Sequence, residues 1–108
     1  MGTLSTHVLD TSTGRPAHGL TVTLESAAGE ELGTGTTDAD GRIPSIGPER
    51  LDAGDYRLRF DTGAWFAAGG TRGFYPEVTI AFTIVDAEDH YHVPLLLNPF
   101  GYSTYRGS

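Results

Sequence analysis

The strongest constraint on this chain is a two-residue rhythm of apolar side chains, set in short runs and broken each time by glycine, proline or aspartate. Tyr56, Leu58 and Phe60 alternate with Arg57, Arg59 and Asp61, and Val78, Ile80, Phe82 and Ile84 alternate with Thr79, Ala81 and Thr83. Successive side chains of a strand point to opposite faces, so each run makes a ribbon with one face for a core. A helix would need apolar positions three and four apart. Ribbons this short bury their apolar faces only by pairing into sheets and stacking those sheets. The pattern therefore predicts an all-β, antiparallel β-sandwich.

The same reading places further strands at residues 4–10, 20–26, 31–37 and 42–43, with those above at 55–61 and 78–85. In the first, Leu4, Thr6 and Val8 face one way and Ser5, His7 and Leu9 the other. Residues 11–16 read as a turn-rich connection, and Asp38-Ala39-Asp40-Gly41 is a strong turn signal ahead of Arg42. Residues 62–68 are the helical candidate, with Thr62 as its cap and Gly69-Gly70 as its stop. The tally is about seven or eight strands and one short helix. A chain of 108 residues has room for one domain, spanning 1–108.

The last stretch carries the polar chemistry. From His90 the chain reads as a strand, a Pro99-Phe100-Gly101 turn and a second strand running out to the terminus. Alternation puts His90 and His92 on one face and Tyr91, Val93 and Leu95 on the other. Three readings of the histidine pair compete. A His-x-His pair can chelate a metal, yet it supplies two ligands, and no cysteine is present to complete a thiolate site. The pair can merely border a sheet edge. Or it can do general acid/base work, because the unperturbed imidazole pKa lies near neutrality.

Composition excludes several classes. Seven arginines and no lysine stand against fourteen acids, a net charge of -7, which lacks the basic footprint of a nucleic-acid binder. Without cysteine there is no disulfide framework, redox motif or thiol nucleophile. The N-terminal residues lack the basic and apolar segments of a signal peptide, and no apolar run has transmembrane length. A soluble, cytoplasmic protein with no membrane partner is the expectation.

The candidate site residues are His7, Arg42, His92 and the closing Tyr105-Arg106-Gly107-Ser108. Each has a dull explanation taken singly, since exposed polar side chains are normal on strands and turns. Taken together, they come from both ends of the chain and a central turn, so they meet only if the strands bring them together. No Gly-x-Ser-x-Gly elbow is present. A base-activated water, with a guanidinium holding an anionic or carbonyl-rich substrate, is the chemistry these side chains suit best.

Several motifs carry a resemblance. Leu4-Ser5-Thr6-His7-Val8-Leu9-Asp10, Asp40-Gly41-Arg42, Phe74-Tyr75-Pro76, residues 90–97 and the terminal Tyr-Arg-Gly-Ser resemble the 5-hydroxyisourate hydrolases, the transthyretin-related family of urate breakdown. The resemblance implies a transthyretin/prealbumin-like sandwich that assembles as a homotetramer, a dimer of dimers, with active sites in the channel where dimers meet. It implies hydrolysis of 5-hydroxyisourate to 2-oxo-4-hydroxy-4-carboxy-5-ureidoimidazoline. No cofactor is expected, and no metal, since the residues supply no complete ligand set and a neutral imidazole base suffices. It places catalysis on His7, Arg42 and His92, and substrate binding on His7, Arg42, Tyr105, Arg106 and Ser108. His90 is expected to support rather than catalyse. Two other classes stay open: a transthyretin-like carrier of small ligands, and a prealbumin-like structural module, which the segment from Thr37 to Leu58 resembles equally well.

Overall fold

The computed structural model describes residues 3–107. Its strands are β1 (Thr3–Asp10), β2 (Arg15–Pro16), β3 (Thr21–Ser26), β4 (Glu31–Thr36), β5 (Arg42–Ile43), β6 (Gly54–Phe60), β7 (Val78–Ile84), β8 (His90–Asn98) and β9 (Gly101–Thr104). One helix, α1 (Thr62–Ala68), follows β6. The strands form two sheets. One runs β2-β1-β8-β9, with β5 also paired to β1; the other runs β4-β3-β6-β7.

The sheets stack on their apolar faces, as alternation demands. Leu4 and Val8 of β1 and Tyr91, Val93, Leu95 and Leu97 of β8 meet Val22 and Leu24 of β3, Leu58 and Phe60 of β6, and Val78, Ile80 and Ile84 of β7 in one buried core. Each such side chain contributes about 1.5–3 kcal/mol on burial. Thr6 shares that inward face and is fully buried; its hydroxyl donates to the Val93 carbonyl at 2.7 Å, which removes the cost of placing it there.

The β1/β8 pair is parallel, with Thr3 opposite His90, Ser5 opposite His92 and His7 opposite Pro94. The other pairings are antiparallel, so the expected antiparallel sandwich carries one parallel seam joining the two ends of the chain. This seam aligns the outward side chains of β1 with those of β8.

Three local expectations differ from the structure. The connection at 11–16 contains the two-residue strand β2, paired to Leu9 and Asp10. Thr62 does not cap α1: Asp61 takes the capping position without a side-chain bond, and Thr62 turns inward, its buried hydroxyl lacking a partner among the described residues. Packing has overridden capping there. The final strand stops at Thr104, after which the chain touches β8 once more through an isolated bridge between Gly107 and His92. At the other end of α1 the stop is as expected: Gly70 adopts φ +77°, and the Gly69, Gly70 and Thr71 amides close on the last-turn carbonyls.

Candidate active site

The site is assembled on the outward face of the first sheet. The Asp38 carboxylate folds the turn that delivers Arg42, its Oδ1 accepting the Asp40 and Arg42 amides at 2.9 Å each. Those bonds, with the Arg42 charge, hold Asp38 below its ordinary pKa. Gly41 stands at φ +74°, and a Cβ there would meet the Val8 carbonyl oxygen at 2.4 Å, so the turn presses directly on β1. The Gly41 carbonyl in turn accepts the Val8 amide at 2.8 Å. Pairing of β5 with β1 then sets Arg42 opposite His7, both on the outer face.

On the other side of β1, Ser5 stands opposite His92 and its hydroxyl lies 2.7 Å from His92 Nδ1 and 2.9 Å from His90 Nε2. Thr3 Oγ1 bonds His90 Nδ1 at 2.5 Å. The two rings cover Ser5, which is buried although it faces outward. With Nδ1 engaged, Nε2 is the nitrogen His92 has left for other chemistry. Its pKa is lowered from the ordinary 6.5, first by burial and then by the Arg42, His7 and His90 charges, with a hydrogen bond to Ser5 acting the other way. At neutral pH His92 is therefore an uncharged imidazole.

Ser5, Thr6, Arg42, Ile43, Pro44, His90 and His92 line a hollow of about 270 Å³. His7 stands beside it, in register with Arg42, rather than in its lining. His92 also borders a second hollow, about 300 Å³, at the open edge between β7 and the C-terminal segment, where Tyr105 and Arg106 lie. The Gly107 amide donates to the His92 carbonyl at 2.9 Å, and the Arg106 guanidinium sits 4.7 Å from the centre of the Tyr91 ring. So His7, Arg42 and His92 share one face, while Tyr105 and Arg106 reach the same histidine from the sheet edge. Ser108 lies outside the described residues.

Sequence reasoning passed over Ser5 and Thr3. The signal was available, since alternation along β1 puts both on the His7 face, but their partners come from across a parallel seam that no local pattern reveals. Among the described residues, no group of three or more His, Cys, Asp or Glu side chains is disposed to hold a metal ion. Nor is any helix among them long and apolar enough to cross a membrane.

Comparison with known proteins decides the lineage. The family model described as HIUase/Transthyretin matches residues 4–107. The chain belongs to the HIUase/Transthyretin family. It is similar to the 5-hydroxyisourate hydrolase of Salmonella dublin, 50% identical over 97% of this chain and 80% of the relative. Its fold superposes on the solved 5-hydroxyisourate hydrolase of Klebsiella pneumoniae with a TM-score of 0.92, at 48% identity over 99% of this chain and 100% of the other. Transthyretin of Sparus aurata follows with a TM-score of 0.87 and 33% identity, over 96% and 95% of the two chains. The same fold is thus shared by a solved 5-hydroxyisourate hydrolase and a solved transthyretin.

Proposed function

We propose that this chain hydrolyses 5-hydroxyisourate to 2-oxo-4-hydroxy-4-carboxy-5-ureidoimidazoline, with His7, Arg42 and His92 as its catalytic residues. The observation that carries the mechanism is a neutral imidazole, His92, sharing one face with a guanidinium and a second histidine. Arg42 offers a planar fork of donors matched to the carbonyl oxygens and delocalised charge of a urate-like ring. His92 Nε2 takes a proton from water, the resulting hydroxide adds to the amide-type ring carbonyl, and the ring C–N bond breaks. The proton then passes from His92 to the leaving nitrogen. His7, in register with Arg42, orients the water or the ring edge. Tyr105, Arg106 and Ser108 close the substrate pocket from the sheet edge.

A carrier of apolar ligands would gain nothing from this face, where an arginine and three histidines bring cost on desolvation without a matching polar ligand. The hollow itself is shallow and lies on an open sheet face, so it excludes water only when another surface covers it. A second copy supplies that surface in a homotetramer, a dimer of dimers whose channel holds the sites. The chain acts without a cofactor, in the cytoplasm.

The deciding assay follows the ultraviolet absorbance of freshly generated 5-hydroxyisourate with and without protein. Decay faster than the spontaneous rate is expected, and no acceleration would overturn the reading. Arg42→Lys keeps the charge and loses the fork; its turnover should fall about a hundredfold. Near-normal kinetics would reduce Arg42 to a point charge.

A further inference from the structure

Ser5, His90 and Thr3 have no part in the scheme above, yet with His92 they form an unbroken line. Thr3 Oγ1 meets His90 Nδ1 at 2.5 Å, His90 Nε2 meets Ser5 Oγ at 2.9 Å, and Ser5 Oγ meets His92 Nδ1 at 2.7 Å. A hydroxyl carries one proton, and a neutral imidazole one N–H and one lone pair. Two arrangements therefore use every proton in the line. In the first, Thr3 donates to His90 Nδ1, His90 Nε2 donates to Ser5 and Ser5 donates to His92 Nδ1, which leaves a proton on His92 Nε2. In the second every bond is reversed, and His92 Nε2 presents a bare lone pair. The first arrangement is an acid and the second a base.

We propose that Thr3, His90 and Ser5 form a proton relay that switches His92 between these two tautomers, so that one neutral ring serves as base and then as acid. This inference rests on the hydrolase reading. When His92 Nε2 takes a proton from water, Nδ1 passes its proton to Ser5, Ser5 passes its own to His90 Nε2, His90 Nδ1 passes one to Thr3, and the Thr3 hydroxyl releases one to solvent. One proton enters and one leaves. When Nε2 protonates the leaving nitrogen, the sequence runs backward and a proton returns from solvent at Thr3. Water has then been split between the carbonyl carbon and the nitrogen, and the line is reset.

Electrostatics gives the relay its purpose. His92 faces Arg42 from β5, His7 from β1 and His90 from its own strand; the Arg42 charge acts against an imidazolium, as does any proton that sits on His7 or His90. Asp38 spends its charge on Arg42 from the turn below, and Arg106 lies over Tyr91 on the other side of the strand. A lone His92 would have to become a half-buried cation beside a guanidinium during turnover. Exporting the proton through Ser5 and His90 avoids that state. The outlet is suitably placed, because the Thr3–His90 bond is the exposed end of the line.

The test uses the full chain with Ser5→Ala, His90→Gln and Thr3→Val. His90→Gln keeps a donor and an acceptor but cannot exchange them, so it separates relay from mere support. We expect it to lower kcat about tenfold with KM little changed. The wild-type proton inventory in mixed light and heavy water should be curved, as for several protons in flight, and linear in His90→Gln and Ser5→Ala. Unchanged kcat and curvature in His90→Gln would overturn the relay. Thr3→Val, at the exposed end, guards against misfolding of the buried Ser5 variant and should also straighten the inventory. A readout independent of turnover is the nitrogen-15 spectrum of His92: its tautomer ratio should change in Ser5→Ala, and an identical ratio would refute the line even if 5-hydroxyisourate were not the substrate.

Discussion

Gly107 shows how little space the site leaves. A Cβ at that position would lie 2.4 Å from His92 Cδ2 and 3.1 Å from its Cγ, so the bare backbone of the C-terminal segment is what the imidazole packs against. Gly107→Ala must displace the ring from its present place, and if His92 is the base, a shift of about 1 Å can cost about a hundredfold in rate. We expect that loss in kcat with a small change in Tm, measured on the same preparation; retained activity would mean that the ring swings without consequence. The neutral state of His92 makes a second prediction. Only the uncharged ring can accept a proton, so kcat/KM should fall as pH drops through the folded-state pKa of His92, which lies below 6.5. The sign for stability follows the same shift. Unfolded, this histidine binds a proton more readily than folded, so its effect on stability is absent well above pH 6.5 and becomes an increasing penalty from there down to the lower folded value. A rate profile whose acid limb lay above pH 6.5 would contradict the assignment.

At the scale of elements, the β-turn before Arg42 does the positioning. Asp38→Ala removes the acceptor of two backbone amides and releases β5 from its place beside β1. Kinetics and thermal unfolding should part company here: about a tenfold loss of turnover, with a smaller effect on Tm, because the Asp38 side chain is exposed and Ile43 is the one core residue that β5 carries. Equal loss in both would make the turn a structural element only. This turn was legible in advance, since Asp38-Ala39-Asp40-Gly41 names its own conformation. So were the alternating ribbons β6 and β7 and the bounds of α1, each fixed by side chains within a few residues. The unread part was non-local. Nothing near His7 or His92 says that β1 and β8 lie side by side and parallel, because a parallel pair has no hairpin to announce it. Hence the shared face of His90 and His92 could be inferred, but Ser5 as the link between them could not. Thr62 failed as a cap for a related reason, its side chain being drawn into a core built mostly by distant strands.

At the scale of the molecule, the question is what covers the outer face of the first sheet. Arg42, His90 and His92 line a hollow open to solvent, with His7 beside it, where water competes for every hydrogen bond offered to substrate. A second sheet face laid across it would exclude that water and strengthen each of those bonds, which a shallow surface site cannot do alone. The C-terminal segment adds to the argument, since Tyr105 is largely exposed in the single chain although it stands next to His92 at the sheet edge. An exposed tyrosine beside the proposed base is explained if a neighbouring subunit packs on it. We therefore expect activity and assembly to fall together. Sedimentation velocity and turnover measured over the same dilution series should show specific activity declining as the proposed tetramer dissociates. A charge introduced at the centre of the face, as in Leu96→Glu, should yield folded monomers with turnover near the spontaneous rate. A folded monomer with full specific activity would establish that one chain suffices, and the channel would then have no part in catalysis.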